Sequence, residues 1–358
     1  MLGKRKEDHM PRMDSPESEA QGDANTLVKL LLIGDGKLGK SHYAAMAAAC
    51  GLNVLYLDGD VALPTIRKLP LEVRSRIYHM DIRDTILGGQ RDSRMWEVMK
   101  EFTSTVEFRW NDSQGRPAKR ADVGAEIWAI KPGRMDHTSV LVLDSWTSFT
   151  ESVTLAAAID NNVDLAEAST SQMRPVYQMA GLKGTQMLQM IRSMRCHVIV
   201  LAHPDEYSHT TKPEGRKVKD IKEPDLIIDW TRMIPKSTSK PHGMQMAKYF
   251  TDVAWMATNP SGSERLLDFR MKDDRVSGGH FNGRENTDKY SFANLISEVG
   301  GRLPNKSEPA GVGHWLKIIS PDDSAAQVEV QAAAETPVLD GRAASPMKGM
   351  AGFIKKAV

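Results

Sequence analysis

The chain has 358 residues, 41% of them hydrophobic, which suffices for one large core or two smaller ones. Its net charge is +1, so no overall field predicts a nucleic-acid or membrane partner, and any such surface must be local. The two cysteines lie far apart without metal-ligand spacing, and no apolar run has the length of a membrane span. These features predict a cytoplasmic protein that does not enter a membrane.

The first part of the chain predicts a parallel sheet. Residues 1–25 are polar, lack the apolar segment of a secretory signal and are predicted to be disordered. Residues 27–33 are almost all apolar, as in a strand buried on both faces, and residues 41–50 are alanine-rich and favour a helix. Residues 53–57 predict a second buried strand. Strand, loop, helix and strand in this order form a βαβ unit.

A glycine-rich turn joins the first strand to the first helix and matches the phosphate-binding loop pattern in full. Its glycines let the backbone curl so that several N–H groups point at one phosphate. Lys40 can reach the β- and γ-phosphates, and the Ser41 hydroxyl can hold Mg²⁺, so we expect ATP and Mg²⁺ as cofactors. A chance turn is disfavoured, because a strand precedes the loop and a helix follows it. The predicted nucleotide-binding residues are Gly34, Asp35, Gly36, Lys37, Leu38, Gly39, Lys40, Ser41 and His42.

Residues 106–135 predict a β-hairpin inserted into this α/β pattern. Cations alternate along it with Trp110 and Trp128. Cations can follow phosphates while an indole ring stacks on a base, which predicts a surface for single-stranded DNA. The alternative is a structural insertion whose tryptophans pack on the core. The candidates for nucleic-acid binding here are Arg109, Trp110, Arg116, Lys119 and Arg120.

Polar residues at the ends of the predicted strands are candidates for chemistry, because ligands bind at the carboxyl ends of strands in an open parallel sheet. Asp144 follows a buried strand and is suited to orient Mg²⁺, unless it is a solvated strand end. Asp60 is the candidate general base for an attacking water, with Asp58 as its competitor and a simple turn as the alternative. His203 can sense the γ-phosphate or merely cap its strand. The remaining helices are predicted over residues 91–102, 155–167 and 174–195.

The last third of the chain is less regular. Residues 204–241 are charged and predict mostly loop, and residues 266–271 predict a late strand. From residue 305 to residue 358 we expect a flexible tail. Its apolar and basic end, residues 353–358, either docks on a protein partner or frays.

The phosphate loop, Asp60, Asp144 and His203, taken in this order, resemble the ATPase core of the RecA family. The closest resemblance is to the compact RecA-like ATPases of bacteriophages that act in single-strand annealing and recombination. It covers about residues 27–275 and implies a RecA-like P-loop core over residues 26–304, with a mostly parallel central sheet flanked by helices. It also implies a homo-oligomeric ring or filament, and a host cell's cytoplasm as the location.

The resemblance assigns further roles and shows two departures. The family's catalytic carboxylate is usually Glu, where this chain has the shorter Asp60, and its γ-phosphate sensor is often Gln, where this chain has His203. Cations from a neighbouring subunit complete the family's site, and their counterparts by type and place are Lys272 and Arg275. The loop after residue 203 corresponds to the family's DNA-facing loop, which implies DNA contacts for Lys212, Arg216 and Lys217.

The sequence therefore predicts an ATP-hydrolysing protein that acts on single-stranded DNA in recombination, annealing or replication. One alternative is a nucleotide-gated assembly or adaptor protein with little turnover, which the short side chain of Asp60 favours. The other is a P-loop kinase for a small molecule. A kinase needs an arginine-rich lid near the phosphates, and the only candidate for it is the hairpin of residues 106–135.

Overall fold

The structure is a computed structural model that describes residues 26–320 except 88–89, 123, 212–226, 259–264, 271–277, 280–284, 287–290, 302 and 305–313. Its strands are β1 (Lys29–Ile33), β2 (Asn53–Asp58), β3 (Ile77–Asp81), β4 (Ile86–Leu87), β5 (Gln90–Arg91), β6 (Phe108–Asn111), β7 (Arg116–Pro117), β8 (Ile127–Ile130), β9 (Ser139–Asp144), β10 (His197–Ala202), β11 (Pro204–Thr211), β12 (Ile227–Pro235), β13 (Asp252–Thr258), β14 (Arg265–Asp268), β15 (Gly278–Gly279), β16 (Glu285–Asn286) and β17 (Leu316–Ile319).

The α-helices are α1 (Lys40–Ala45), α2 (Leu63–Ile66), α3 (Leu71–Arg74), α4 (Arg94–Ser104), α5 (Trp146–Asp160), α6 (Thr170–Ser193), α7 (Lys240–Gln245) and α8 (Phe292–Glu298). Short 3₁₀-helices cover Met46–Cys50, Asp112–Gln114, Pro132–Arg134 and Met246–Tyr249. Within the described part of the chain, no helix is both long and apolar enough to cross a bilayer.

The large sheet has a parallel centre in the order β13-β1-β10-β9-β2-β3. Strands β14 and β15 pair antiparallel with β13, and β16 pairs antiparallel with β14. Every residue of β1, β9 and β10 is buried, as expected for strands covered on both faces. The fold class predicted from the sequence, a mostly parallel sheet flanked by helices, is confirmed.

Two hydrophobic cores lie on opposite faces of this sheet, because side chains alternate along each strand. Leu31 and Ile33 of β1 belong to the core that α4, α5 and α6 cover. Leu30 and Leu32 belong to the other core, with residues of α1, α2 and α8. Because β1, β10, β9 and β2 pair in parallel, the carboxyl ends of these four strands lie along one edge of the sheet.

The predicted hairpin insertion forms part of a second, antiparallel sheet in the order β17-β8-β6-β7. Strand β17 pairs with β8, so that Leu316 lies opposite Ile130, and Trp315 beside it is buried. The Trp315 ring meets Tyr78 of β3 edge-on at a centroid distance of 5.6 Å. The prediction of a flexible tail from residue 305 is therefore wrong for residues 314–320, which complete this sheet.

Three segments differ from the predictions. Residues 204–241, predicted as mostly loop, contain the antiparallel pair β11 and β12 and the start of α7, while residues 212–226 lie outside the described residues; the polar sequence of β11 conceals its strand pattern. Helix α5 begins at residue 146 rather than 155, because the Ser145 side chain accepts a hydrogen bond from the Ser148 N–H. Helix α6 begins at residue 170 rather than 174, where Ser169 and Gln172 form a capping box.

A histidine buried at the start of β10 couples the fold to pH. The backbone N–H of Val28 donates to Nδ1 of His197 at 3.1 Å, and His197 is 1% exposed. Burial, and secondarily the charge of Lys29, lower the pKa of His197 to about 3. The folded protein therefore excludes a proton that the unfolded chain binds below pH ~6.5, and stability is lost as the pH falls from that value toward 3.

We expect His197→Gln to remove this part of the acid sensitivity, because the amide keeps an acceptor for Val28 but does not titrate. From pH 7 to pH 5 the histidine should lower the free energy of unfolding by about 2 kcal/mol more than glutamine does. Urea unfolding of both proteins at the two pH values measures this difference. The exposed His42→Gln serves as the control, and an equal pH dependence in the wild type and His197→Gln would contradict the prediction.

Candidate active site

The loop between β1 and α1 requires glycine at two positions. Gly39 has φ 96°, in the left-handed region that favours glycine. A Cβ on Gly34 would lie 2.8 Å from the carbonyl oxygen of Met256 in β13, so no side chain fits there. Leu38 packs against the core, whereas Asp35, Gly36, Lys37 and His42 are exposed. The predicted phosphate loop thus starts against the neighbouring strand and opens outward.

The ammonium group of Lys40 lies folded over this loop. Its Nζ donates to the carbonyl oxygens of Gly34 at 2.6 Å and Asp35 at 2.8 Å. Burial lowers the pKa of Lys40, although the charges of Asp144, Asp60 and Asp35 oppose the shift. The lysine can therefore exchange two neutral acceptors for phosphate oxygens, with which a charged donor forms stronger hydrogen bonds.

Asp144, at the end of β9, lies in a buried cluster of oxygen atoms. Tyr56 Oη donates to Asp144 Oδ2 at 2.6 Å, and the Ser41 hydroxyl also hydrogen-bonds to this carboxylate. Burial raises the pKa of Asp144 to about 6, against the effect of these two hydrogen bonds. A hydroxyl beside a carboxylate is a donor set that Mg²⁺ prefers, so Ser41 and Asp144 fit this ion.

In the part of the chain that the structure describes, no three His, Cys, Asp or Glu side chains are grouped so as to hold a metal ion. A Mg²⁺ ion at Ser41 and Asp144 would take its other ligands from phosphates and water, which is common for this ion.

Asp58 has a structural role in the loop after β2. Its carboxylate accepts hydrogen bonds from the backbone N–H groups of Asp60 at 2.9 Å, Ala62 at 2.8 Å and Leu63 at 3.2 Å. His79 Nε2 lies 2.8 Å from the same carboxylate. With these four partners and 1% exposure, Asp58 shapes the loop that presents Asp60 and has no accessible oxygen for a water molecule.

Asp60 is accessible, and two side chains hold its carboxylate. Oδ1 accepts a hydrogen bond from Ser148 Oγ at 2.6 Å, and Oδ2 lies 3.3 Å from His203 Nε2. The hydrogen bond with His203 is the main reason that the pKa of Asp60 falls to about 2. About a third of the side chain (34%) remains exposed. Asp60 is therefore ionised at neutral pH, within electrostatic range of Lys40.

His203 connects the site to the β11–β12 hairpin. Its backbone N–H donates to Thr147 Oγ1 of α5 at 3.0 Å, and its carbonyl oxygen accepts from the Lys236 N–H at 2.8 Å. Strand β11 begins at the next residue, and Lys236 directly follows β12. A change in the hydrogen bond between His203 and Asp60 can therefore reach both ends of the hairpin through direct contacts.

The tryptophans of the inserted hairpin lie in the core, which corrects the expectation that Trp110 stacks on a base. Trp110 is 1% exposed and packs beside Phe108 at a ring distance of 6.3 Å. Trp128 is 8% exposed and meets Tyr78 edge-on. The structural-insertion alternative accounts for both rings, since neither face is available to a nucleotide.

Two arginines of this hairpin pair with carboxylates within it. Arg109 Nε donates to Glu107 Oε1 at 3.0 Å, and Arg116 Nη1 donates to Asp122 Oδ2 at 2.8 Å. The Lys119 backbone N–H donates to the same Asp122 oxygen at 2.8 Å, and Arg120 is exposed in the loop that follows. The other cations expected to bind DNA or complete a neighbouring site, Lys212, Arg216, Lys217, Lys272 and Arg275, lie outside the described residues.

Sequence reasoning missed Tyr56 and Ser148. Tyr56 lies within an apolar strand and was indistinguishable from a core residue, because its contact with Asp144 depends on the pairing of β2 with β9. Ser148 could have been found from the sequence. Ser145 and Ser148 come soon after a strand, and serines in such positions indicate the start of a helix.

The comparisons with known proteins bear on this region of the chain. A protein-family model described as an AAA domain matches residues 26–242, more than half of the sequence. The match includes the phosphate loop, Asp60, Asp144, His203 and the β11–β12 hairpin, and it ends before β13. No curated protein matches the sequence.

Proposed function

The chain belongs to the AAA domain family of P-loop ATPases, and on this basis we propose that it binds ATP with Mg²⁺ and couples hydrolysis to single-stranded DNA. One observation carries the proposal: Lys40, Ser41, Asp144, Asp60 and His203 meet along the carboxyl edge of four parallel strands. Ligands bind at this edge of open parallel sheets. The biological setting we propose is recombination, annealing or replication of the bacteriophage type.

Each side chain has a separate task in this proposal. Lys40 leaves its carbonyl partners to bind phosphate oxygens, while Ser41 and Asp144 hold Mg²⁺. The metal ion, when bound, offsets the negative charge of the phosphates. Asp60 orients the attacking water. Because its pKa is about 2, Asp60 is better suited to accept a hydrogen bond from this water than to act as a strong base.

The DNA-facing element in this proposal is the β11–β12 hairpin. It directly follows His203, and α7 beyond it is linked to the start of α5: Trp146 Nε1 donates to Ser237 Oγ at 3.1 Å, and this hydroxyl lies 2.6 Å from His242 Nδ1. Loss of the γ-phosphate would alter the Asp60–His203 contact and so the base of the hairpin. These contacts support a coupling route without requiring the inserted β6–β8 hairpin.

Neutralising Lys212, Arg216 and Lys217 together should weaken binding to single-stranded DNA and flatten its salt dependence. Three lost phosphate contacts would lower the slope of log K against log salt by about 2. Fluorescence anisotropy with a labelled oligonucleotide at several salt concentrations measures this slope. The matched control neutralises Arg109, Lys119 and Arg120. An equal change in both triple variants would contradict the assignment to the β11–β12 hairpin.

We also propose that copies of the chain assemble into a ring or filament, because AAA domains often form oligomers. Lys272 and Arg275 would then reach the phosphates of a neighbouring subunit and stabilise charge that develops there. A protein partner for residues 353–358 is a further part of this proposal.

The nucleotide-gated adaptor is a second candidate, favoured by the contacts of Asp60. A carboxylate held by Ser148 and His203, with a low pKa, suits a sensor of the γ-phosphate as well as it suits catalysis. The kinase has less support: the inserted hairpin borders β3, which is four strands from β1, or about 19 Å. That distance is long for a lid over the phosphates.

ATP hydrolysis with and without single-stranded DNA tests the proposal, with Lys40→Ala as the blank. Stimulation by DNA is the expected result. ATP binding without turnover would favour the adaptor, and phosphate transfer to an added small molecule would favour the kinase. Basal turnover that DNA leaves unchanged would remove DNA from the proposal and retain the ATPase.

A further inference from the structure

An arginine beyond the family match stands beside the phosphate loop. Arg265 is the first residue of β14 and pairs with Thr258 at the end of β13. Strand β13 runs parallel to β1, with Trp255 opposite Ile33. Thr258 is three residues past Trp255, so this pair lies about 10 Å beyond the end of β1. The strand pairing thus places Arg265 at the level of the loop that follows β1.

The guanidinium group of Arg265 packs directly on Gly39. A Cβ added to Gly39 would lie 2.6 Å from Arg265 Cζ and 3.1 Å from its Nε. Glycine at this position therefore supplies both the left-handed φ and the space for the guanidinium. Among the residues that the structure describes, no carboxylate forms an ion pair with Arg265, and its side chain is exposed. Within the described residues, packing on Gly39 places this cation beside the loop.

Its direction of approach distinguishes Arg265 from the other charged groups. Asp144 ends β9, while Asp60 and His203 follow β2 and β10, and these three strands lie on one side of β1 in the sheet. Arg265 comes from the opposite side, where β13 and β14 lie. In the function proposed above, the γ-phosphate and the attacking water lie beside the first group. A cation from the other side would then lie near the phosphates that ATP and ADP share.

We propose that Arg265 is a nucleotide-binding residue, contributed by the same chain as the phosphate loop, that contacts the α- or β-phosphate of ATP and ADP. Its planar guanidinium has five N–H donors and matches two phosphate oxygens at once, which a lysine ammonium does not. This inference rests on the proposed function, since it requires that the loop binds a nucleotide.

Isothermal titration with ATP and with ADP tests the assignment on the wild type, Arg265→Ala and Arg265→Lys. We expect Arg265→Ala to weaken the binding of both nucleotides by a similar factor, about 10- to 100-fold. Arg265→Lys should restore part of the lost affinity. The matched control is Arg270→Ala, two residues beyond β14, where the guanidinium is held by Asp268 at 2.8 and 2.9 Å. Both affinities of this variant should stay within about twofold of the wild type.

The possible results separate this inference from the function on which it rests. Unchanged or tighter binding by Arg265→Ala, with normal binding by the wild type, would overturn the inference alone; tighter binding would mean that the arginine covers an empty loop. A loss for ATP but not for ADP would overturn the assignment to the shared phosphates. A wild-type protein that binds neither nucleotide would overturn both. Thermal unfolding of each variant shows whether it is folded.

Discussion

Lys40→Ala is expected to weaken ATP binding by about 100-fold or more, the largest effect on affinity of any single substitution in the site. The ammonium is already desolvated over the loop, with Nζ 2.6 and 2.8 Å from two backbone carbonyls. Exchange of these neutral acceptors for charged phosphate oxygens costs little further desolvation and forms charge-assisted hydrogen bonds. Isothermal titration with Mg²⁺ and ATP measures the loss.

Lys68→Ala is a suitable control, because it removes an exposed lysine beyond α2 and changes the net charge equally. It should bind ATP as the wild type does. Retention of wild-type affinity by Lys40→Ala would show that the loop between β1 and α1 is not the nucleotide site.

Asp60→Asn is expected to lower the rate of ATP hydrolysis by about 10²- to 10⁴-fold while leaving ATP affinity within about threefold. The amide is close in shape to the carboxylate and can still accept from Ser148, but it loses the charge that orients a water molecule and can receive its proton. Phosphate release at saturating ATP measures the rate, and titration measures the affinity.

Two neighbouring substitutions sharpen this test. Ser148→Ala removes one hydrogen bond to Asp60 but keeps the charge of Asp60. Turnover should therefore fall less than tenfold, which corresponds to a rise of about 1 kcal/mol in the activation free energy. Asp58→Asn should instead lower the thermal stability, because its carboxylate holds three backbone N–H groups of the loop. Full turnover by Asp60→Asn would exclude this residue as the group that prepares the water.

The residues responsible for the chemistry of the site could be predicted from the sequence, because they occur in short local patterns. The spacing from Gly34 to Ser41 and the polar residues after the apolar strands could each be read along a few positions. The parallel sheet then brings the strand ends together, so a correct fold class was sufficient to group Lys40, Asp144 and His203.

Features that depend on long-range pairing could not be predicted in this way. The different roles of Asp58 and Asp60 follow from which carboxylate meets the backbone N–H groups, and both fit the same local pattern. Trp110 lies between polar residues and Trp128 between apolar ones, a local pattern that does not show whether the rings face solvent or core; the packing of the hairpin against Tyr78 decides. Arg265 reaches the loop only through the pairing of β14 with β13.

The position of β13 sets a lower limit on the length of chain that can fold alone. Residues 26–242 contain β1 but not β13, which pairs with Leu30, Leu31, Leu32 and Ile33. A fragment that stops at residue 242 would leave this side of β1 with free backbone N–H and C=O groups on a row of apolar residues. Such an exposed edge is a template for pairing with other copies and for aggregation. The autonomous folding unit therefore continues past the family match, and β17 on β8 extends it to residue 319.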